Sequence, residues 1–366
     1  MKTSSLFLLL AVCTLPGLAQ PANIARTDTG SLNGAFYRID IPANWNRNLI
    51  MYAHGYEVVG ESSSTRHPDQ VKALAPFLQR GYAVARSAYR RQGWAVAEGV
   101  ADTEVLRTYF VKKHGRPDTT LMTGHSMGGI ITIATIEKYP QHYQGAMPLC
   151  PISKPLHEAF QHRLFTMLVT FDALFPGTLP PLDQMAAGKA TPPPPEIIQK
   201  RLRADTALAK KFAERFELHP PDLFWVLSFY AEIYRDISQQ AGGNPFDNTN
   251  LVYGGFPDDA LLNRRVVRLT ERPEARRFLE KDGSFTGGLS RPMLLMHTTY
   301  DQLIPTSDAT GYDALVRRAG NERFFVTKFT DGQGHCAFTP AQTGAALDAL
   351  RQWVATGNKP APGEIR

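Results

Sequence analysis

The sequence predicts an α/β fold, in which helices flank a mostly parallel sheet and a helical cap is inserted between strands six and seven. Three observations lead to this prediction. Short apolar runs alternate with amphipathic stretches near both ends of the chain, a pattern typical of parallel sheets with right-handed crossovers. Residues 151–281, between these two parts, lack strand-like runs. The composition, 43% hydrophobic and 20% charged, is that of a globular protein and excludes disordered and fibrous classes.

The part of the chain before residue 151 alternates strands with helices. The run 48–53 is almost unbroken in apolar residues, as in a strand that is covered on both faces. Gly81, Gly115 and Pro140 follow the helical stretches and are residue types that commonly end helices. The strand-like runs are 34–41, 48–53, 82–86, 119–123 and 146–149, and the helical stretches are 67–80, 94–114 and 130–139.

The same pattern returns near the C-terminus. Strands are predicted at 293–297 and 323–329, and helices at 306–319 and 341–356. We therefore divide the chain into an α/β core, residues 20–150 and 282–366, and a helical cap, residues 151–281. Aromatic side chains of the cap either form its own core or line an acyl pocket. They are Phe160, Phe165, Phe171, Phe175, Phe224, Trp225, Phe229 and Tyr230.

Residues 1–19 are typical of an export signal and are excluded from the fold. Lys2 precedes a short apolar stretch from Leu6 to Val12, and the segment ends on small residues at Ala19. This stretch is too short to span a bilayer. A lipoprotein signal is the alternative, because Cys13 follows the apolar stretch, but Val12 stands where a small residue is expected. We expect cleavage after about Ala19 and a periplasmic or secreted protein.

Charge and motif content narrow the possible partners. The formal net charge is +6, but the basic residues are scattered, and the cluster between Arg264 and Lys281 is interleaved with glutamates. A solvated surface explains this pattern better than a nucleic-acid groove does. The sequence has no metal-ligand spacing, phosphate loop or dinucleotide fingerprint. We therefore expect a small-molecule substrate, no cofactor, no metal and no stable membrane insertion; the oligomeric state is not indicated.

The strongest chemical signal is the pentapeptide Gly124-His125-Ser126-Met127-Gly128, a Gly-x-Ser-x-Gly pattern. It lies between a predicted strand and an apolar helix, where a nucleophilic serine on a sharp turn is expected. The glycines remove side chains that would collide in such a turn. Ser126 is therefore the candidate nucleophile, at a helix N-terminus whose dipole favours negative charge. A glycine-rich turn without chemistry is the alternative.

A serine needs a base that takes its proton, and the candidate base is His335. This histidine lies just past the last predicted strand, in a glycine-containing loop that could place the imidazole over the sheet edge; a surface histidine is the alternative. The candidate acid is Asp301, which follows strand 293–297, although it could merely cap a helix. Asp308 falls within a predicted helix, and Asp331 is too close in sequence to His335 for easy triad geometry.

Ser126, Asp301 and His335 each follow a different strand, at the sheet edge where ligands collect in open α/β folds. In the expected reaction, ionised Asp301 fixes the tautomer of His335. That histidine deprotonates Ser126, and the resulting imidazolium protonates the leaving group.

The oxyanion formed in acyl transfer needs two preorganised N–H donors. One donor is expected from the backbone of Met127, which follows the nucleophile. The other is expected from the segment His54-Gly55-Tyr56, where Gly55 permits a close approach and the Tyr56 amide is the favoured donor. A simple turn glycine, with His54 as a structural hydrogen-bonding residue, is the alternative.

These motifs together resemble those of the α/β-hydrolase superfamily. The resemblance covers essentially the whole mature chain outside the helical segment, through His-Gly at 54–55, Gly-x-Ser-x-Gly at 124–128, Asp-x-x-x-Pro at 301–305 and Gly-His at 334–335. The chain order serine, aspartate, histidine is also the order of that superfamily. The resemblance implies a hydrolase, and the serine nucleophile differs from the aspartate that is typical of haloalkane and epoxide hydrolases.

A narrower likeness is to tannase-like and feruloyl esterases. Their pattern has one cysteine immediately before the serine and another immediately after the histidine, bridged to each other. Here Cys336 follows the histidine, but His125 precedes the serine. The resemblance therefore implies another partner for Cys336, and Cys150, at the end of strand 146–149, is the candidate. A Cys150–Cys336 disulfide that holds the catalytic loop and a pair of free buried thiols both remain open.

Three functions are consistent with these residues. The first is an exported serine esterase, which cleaves esters of an apolar or aromatic acyl group through an acyl-enzyme. The second is an exported serine peptidase or aminopeptidase, which would need a cap carboxylate such as Glu158, Glu214 or Glu232 to hold an amino terminus. The third is a non-catalytic hydrolase fold used for binding.

Overall fold

The computed structural model describes residues 23–66 and 74–365. Within these residues, nine strands form one sheet. They are β1 Ile24–Leu32, β2 Ala35–Pro42, β3 Leu49–Ala53, β4 Ala83–Ser87, β5 Thr120–His125, β6 Gly145–Leu149, β7 Met293–Tyr300, β8 Phe325–Gln333 and β9 Gly363–Glu364. Their order across the sheet is β1-β2-β4-β3-β5-β6-β7-β8-β9. The pairs β1–β2 and β2–β4 are antiparallel, and every pair from β4 to β9 is parallel.

Helices cover both faces of the sheet. Those before β6 and after β7 are α1 Ala75–Leu78, α2 Val96–His114, α3 Met127–Lys138, α12 Thr306–Ala309, α13 Gly311–Arg318 and α14 Pro340–Thr356. Those between β6 and β7 are α4 Leu156–Phe160, α5 Thr166–Leu174, α6 Leu182–Ala186, α7 Pro195–Ala204, α8 Thr206–Arg215, α9 Leu223–Ala241, α10 Asp259–Arg265 and α11 Pro273–Glu280. A π-helical turn, Gln161–Phe165, joins α4 to α5.

The apolar strands are buried on two sides, as their sequences require. In β3, Leu49 and Met51 face a core shared with α2 and α3, whereas Ile50 faces a second core shared with α1 and α14. This alternation follows from the two-residue period of a strand. The prediction of a mostly parallel sheet flanked by helices is therefore confirmed.

The helices between β6 and β7 pack directly on the sheet's larger core. Phe165, Phe171 and Phe175 are fully buried and belong to the same continuous cluster as Met51 and Ile131. The predicted division into a core and a cap at residues 151–281 remains a proposal, because the continuous packing marks no boundary.

Several predicted elements differ from the structure in detail. The edge strand β1 was not predicted, because most of its side chains are exposed and it carries no apolar run. The predicted helix 306–319 is two short helices, α12 and α13, with Thr310 between them. Of the predicted helix 67–80, residues 67–73 lie outside the described residues, and α1 occupies part of the remainder.

Within residues 23–66 and 74–365, no helix combines the length and hydropathy that a bilayer crossing requires. The predicted export signal, residues 1–19, lies outside the described residues.

Candidate active site

Ser126 lies on the sharp turn between β5 and α3. Its φ of 58° and ψ of −122° are unusual for a residue with a side chain and are typical of strain at a functional site. The Ser126 amide donates a hydrogen bond to the Leu149 carbonyl at 2.9 Å. A Cβ atom on Gly124 or Gly128 would overlap the carbonyl of Ala53 at the end of β3. The two glycines thus let the turn pass against the neighbouring strand.

The structure brings Ser126, His335 and Asp301 into one hydrogen-bonded chain. His335 Nε2 lies 2.8 Å from Ser126 Oγ, and His335 Nδ1 lies 2.7 Å from Asp301 Oδ2. Both distances allow proton transfer or a fixed hydrogen bond. The three side chains come from the loops after β7 and β8 and from the turn after β5, which is the strand-end placement that the sequence predicted.

Asp301 is held as an anion. It is 3% exposed, and its Oδ1 accepts hydrogen bonds from the amides of Leu303 and Ile304 at 2.9 Å each. Burial alone would raise the pKa of Asp301, but the hydrogen bond from His335 and the charges of His335 and His297 lower it below its usual value of 3.8. An ionised Asp301 can therefore orient His335 and stabilise an imidazolium there.

The competing carboxylates have other partners. Asp308 lies in α12, and its Oδ1 is 3.0 Å from Lys154 Nζ. Asp331 is exposed and accepts a hydrogen bond from Gln342 Nε2 at 3.0 Å. Neither contacts His335 within hydrogen-bonding distance, in the part of the chain that the structure describes.

The expected oxyanion donors lie beside the nucleophile. Met127 is the first residue of α3, so its amide has no acceptor within the helix. Gly55 lies so close to the nucleophile that a Cβ atom there would be 3.4 Å from Ser126 Cβ. Tyr56 lines the same cavity as Ser126. This placement supports the Met127 and Tyr56 amides as donors, and their role in stabilising an oxyanion remains a proposal.

His54 stands next to this segment but outside the hydrogen-bonded chain. Its Nδ1 donates to the Gly55 carbonyl at 2.7 Å, and its ring stacks on Tyr89 with 4.0 Å between the centroids. Burial lowers the pKa of His54. This fits the structural role that the sequence left open for His54.

His125, which takes the place of the expected cysteine, is packed behind the nucleophile. Its Nδ1 lies 3.1 Å from Tyr52 Oη, and its ring is 6.2 Å from that of Phe338. Burial, and secondly the charge of His335, lower the pKa of His125 from 6.5 to about 4. His125 is therefore neutral at physiological pH.

This lowered pKa predicts an acid-sensitive contribution to stability. As pH falls from about 6.5 to about 4, the unfolded chain gains a proton on this histidine that folded His125 does not bind. The free energy of unfolding should therefore fall over this range, by roughly 2–3 kcal/mol between pH 7 and pH 4.5. In the His125→Gln variant this fraction of the loss should vanish, as measured by urea unfolding at both pH values. His162→Gln, at an exposed histidine, is the control, and an unchanged loss in His125→Gln would contradict the prediction.

Cys150 and Cys336 are joined by a disulfide, with Cα atoms 5.4 Å apart and a sequence separation of 186. Cys150 directly follows β6, and Cys336 directly follows His335. Both have left-handed backbone conformations, with φ of 46° and 55° respectively. The bridge thus fastens the loop of His335 to the end of a central strand.

Ser126 opens into a cavity in which the space between atoms, including open solvent, is about 520 Å³. Most of its lining is apolar or aromatic, as in typical small-molecule sites. Of the aromatic residues considered from sequence, Phe160, Phe229 and Tyr230 line this cavity. Phe165, Phe171 and Phe175 instead form the core of the helical segment. That the lining residues bind an acyl group remains a proposal.

The cap carboxylates considered for an aminopeptidase lie elsewhere. Glu158 is exposed, Glu214 is exposed 3.9 Å from Lys210, and Glu232 pairs with Arg235. None of the three lines the cavity of Ser126 within the described residues.

The sequence did not indicate several residues of the cavity. Trp94, Ile130 and Arg163 are examples. A hydrophobic pattern in the sequence does not distinguish residues that line a cavity from residues of a packed core. An arginine in a helical segment is normally interpreted as a surface residue. For Arg163 the available signal is its place one helical turn after Phe160 and next to Leu164.

Comparisons with known proteins show that parts of this chain are similar to hydrolases. The sequence model of the family described as "Serine aminopeptidase, S33" matches residues 79–213. An o-phthalyl amidase from Xanthobacter agilis is 36% identical over 69 residues, which are 19% of this chain and 15% of that protein. The matching region is thus a small part of the relative.

Solved structures with a similar course of the chain include esterases. A feruloyl esterase B from Aspergillus oryzae is 16% identical, with a TM-score of 0.48, over 91% of this chain and 80% of that chain. A rice cell wall degrading esterase from Xanthomonas oryzae is 14% identical, with a TM-score of 0.45, over 87% of this chain and 84% of that chain.

The family match extends from the end of α1 into α8 and includes the serine turn between β5 and α3. Asp301 and His335 lie outside the matched residues, and they follow Ser126 in the chain order that is typical of α/β-hydrolases. The chain therefore has an α/β-hydrolase fold, and its residues 79–213 are similar to the serine aminopeptidase family.

Proposed function

We propose that this protein is an exported serine esterase that hydrolyses carboxylic esters with an apolar or aromatic acyl group. The observation that carries the proposal is the position of Ser126, whose side chain is hydrogen-bonded to His335 and opens into a mainly apolar cavity. An apolar cavity wall binds an acyl group because binding removes the apolar surfaces of both from water. Export rests on the signal-like residues 1–19.

The geometry supports an acyl-enzyme mechanism. His335 Nε2 takes the proton of Ser126 Oγ, which attacks the ester carbonyl carbon and forms a tetrahedral oxyanion. The amides of Met127 and Tyr56 stabilise that oxyanion. The imidazolium of His335 then protonates the departing alkoxide, which leaves as an alcohol, and Ser126 carries the acyl group. Water, deprotonated by His335, attacks the acyl-enzyme and releases the acid.

A serine peptidase or amidase is the second candidate. The family description and the o-phthalyl amidase favour it. The charged residues of the cavity argue against an aminopeptidase. Asp308 is the one carboxylate in the lining within the described residues, and Lys154 already neutralises it, while the arginine Arg163 would repel a substrate ammonium group.

A substrate panel distinguishes the two functions. The purified mature protein is tested on p-nitrophenyl esters from acetate to decanoate, on methyl ferulate, and on aminoacyl p-nitroanilides. We expect ester kcat/KM to rise with acyl length until the cavity is filled, and to exceed anilide kcat/KM by about 100-fold or more, because the anilide leaving group is harder to expel. Preferred hydrolysis of anilides would establish the peptidase, and turnover of no compound in the panel would contradict the esterase proposal.

Two variants link the acyl preference to the cavity. Phe229 lines it, whereas Phe224, on the same helix α9, does not. Phe229→Ala should move the optimum toward longer acyl groups, because it enlarges the cavity. Phe224→Ala is the matched control and should leave the optimum unchanged.

A further inference from the structure

Two charged side chains line the cavity of Ser126 among the described residues, and they are not equivalent. Asp308 is 7% exposed and has a counter-ion, since Lys154 Nζ lies 3.0 Å from its Oδ1. Arg163 has no carboxylate within 4.0 Å in the ranges that the structure describes. The cavity therefore contains a positive charge that has no ion-pair partner among the described residues.

Neutral oxygens hold the Arg163 guanidinium in place. Nε donates to Tyr230 Oη at 3.0 Å, Nη1 to the Phe216 carbonyl at 3.2 Å and Nη2 to the Gln302 carbonyl at 3.1 Å. A guanidinium has five N–H groups, so one N–H on each terminal nitrogen is left over. Tyr230 is itself fixed, because its hydroxyl donates to the Leu303 carbonyl. The group is thus oriented before any ligand binds.

The local backbone favours this placement. Arg163 lies in the π-helical turn Gln161–Phe165, between α4 and α5. Turns of this kind are rare and often occur at functional sites, because the extra residue redirects the side chains around it. Here Phe160, Arg163 and Leu164 all line the cavity, so the guanidinium stands among apolar side chains. A charge in such surroundings interacts more strongly with an opposite charge than it would in water.

We propose that Arg163 binds a carboxylate carried by the substrate, so that the preferred esters are anionic. Two N–H groups on the two terminal nitrogens suit the two oxygens of a carboxylate, which arginine recognises better than lysine does. The apolar wall binds the carbon skeleton between this carboxylate and the ester. The inference names a substrate class for the proposed esterase and rests on that proposed function.

Arg163 also joins the helical segment to the loop of Asp301, because Gln302 is the next residue after that aspartate. A purely structural arginine would affect all substrates alike, whereas a carboxylate-binding arginine affects only anionic ones. Arg268 is the matched control. It has no carboxylate partner within the described residues, donates to the Asn248 and Leu251 carbonyls, and lies outside the cavity lining.

The test compares esters that differ by one charge. Monomethyl and dimethyl esters of succinic and terephthalic acid carry the carboxylate on the acyl side, and 4-acetoxybenzoate and its methyl ester carry it on the alcohol side. The wild type should prefer the anionic member of at least one pair. Arg163→Gln should lower kcat/KM for that member by about 10- to 100-fold, mainly through KM, the size expected for a lost hydrogen-bonded charge. Its kcat/KM for the neutral ester should change by less than about threefold.

Two further variants complete the comparison. Arg163→Lys should recover only part of the preference, and Arg268→Gln should leave it intact. Which pair responds shows whether the carboxylate belongs to the acyl group or to the alcohol. The inference would be overturned if the wild type preferred the neutral esters. It would also be overturned if Arg163→Gln lowered kcat/KM equally for both members of each pair.

A binding measurement separates this inference from the proposed function. Monomethyl terephthalate and 4-acetoxybenzoate are titrated calorimetrically into Ser126→Ala and into Ser126→Ala/Arg163→Gln. Tighter binding to the first protein supports the carboxylate site even if no ester is hydrolysed, in which case only the esterase proposal fails. Equal binding to both proteins, or binding to neither, contradicts the carboxylate site even if neutral esters are hydrolysed.

Discussion

Replacement of Ser126 by alanine is expected to lower kcat for the best ester by about 10⁵- to 10⁶-fold, as when the nucleophile of a serine hydrolase is removed. Ser126 Oγ is the atom that faces His335 Nε2 at 2.8 Å, and no other atom of the side chain can attack the carbonyl. The variant should keep its unfolding midpoint, because alanine adds no atoms to the turn. Steady-state kinetics and thermal unfolding measure both effects.

The control is Ser31→Ala, at an exposed serine of β1 far along the sheet from β5, and it should keep full activity. A phenylphosphonate ester that mimics the tetrahedral intermediate should add one covalent group to the wild type and none to Ser126→Ala, as read by mass spectrometry. A Ser126→Ala variant with kcat within tenfold of the wild type would show that another residue is the nucleophile.

The sequence predicted the part of the site that depends on backbone rules. The turn at Ser126 needs glycines because its flanking residues pass against Ala53, and glycine at such positions is visible in the sequence. Each of the three candidate catalytic residues follows its own strand, and parallel strands bring their ends to one edge. Motif and topology therefore located Ser126, Asp301 and His335 without any knowledge of side-chain contacts.

The cavity could not be predicted in the same way. Phe160 and Phe165 stand in the same helical stretch and have the same side chain, yet one lines the cavity and the other is fully buried in the core. The π-helical turn between them shifts the helical period, so the sequence repeat alone does not show which of the two faces the cavity. Since sequence periodicity assumes a constant 3.6-residue repeat, it assigned no direction to Arg163.

The edge strand β1 and the disulfide are two other features that could not be predicted from the sequence. β1 pairs with β2 through backbone hydrogen bonds and leaves most side chains exposed, so its sequence has no apolar run to detect. The sequence supplied two candidate cysteines but left a bridge and free thiols equally open, because the distance between two strand ends is a tertiary property. In the structure Cys150, which follows β6, lies next to Cys336 in the loop of His335.

Removal of the Cys150–Cys336 bridge is expected to cost about 5 kcal/mol of unfolding free energy, because the bridge closes a long loop in the unfolded chain. The loop is long because 186 positions separate the cysteines. Activity should fall as well, mainly through kcat. Both cysteines have positive φ, a conformation that is uncommon for residues other than glycine. Without the bridge we expect the backbone at Cys336 to relax from this conformation, which would move the neighbouring His335 away from Ser126. Urea unfolding and ester kinetics of Cys150→Ser/Cys336→Ser measure the two effects.

Reduction of the wild type provides the matched comparison. Cys336 is half-buried, so a small dithiol such as dithiothreitol can reach the bridge once the protein opens locally. The reduced wild type should resemble the double variant in stability and kcat, whereas dithiothreitol should not change the double variant. If thiol titration shows full reduction of the wild type and neither its stability nor its kcat changes, the bridge does not hold His335 in place. In that case the hydrogen bonds to Asp301 and Ser126 are sufficient to position this histidine.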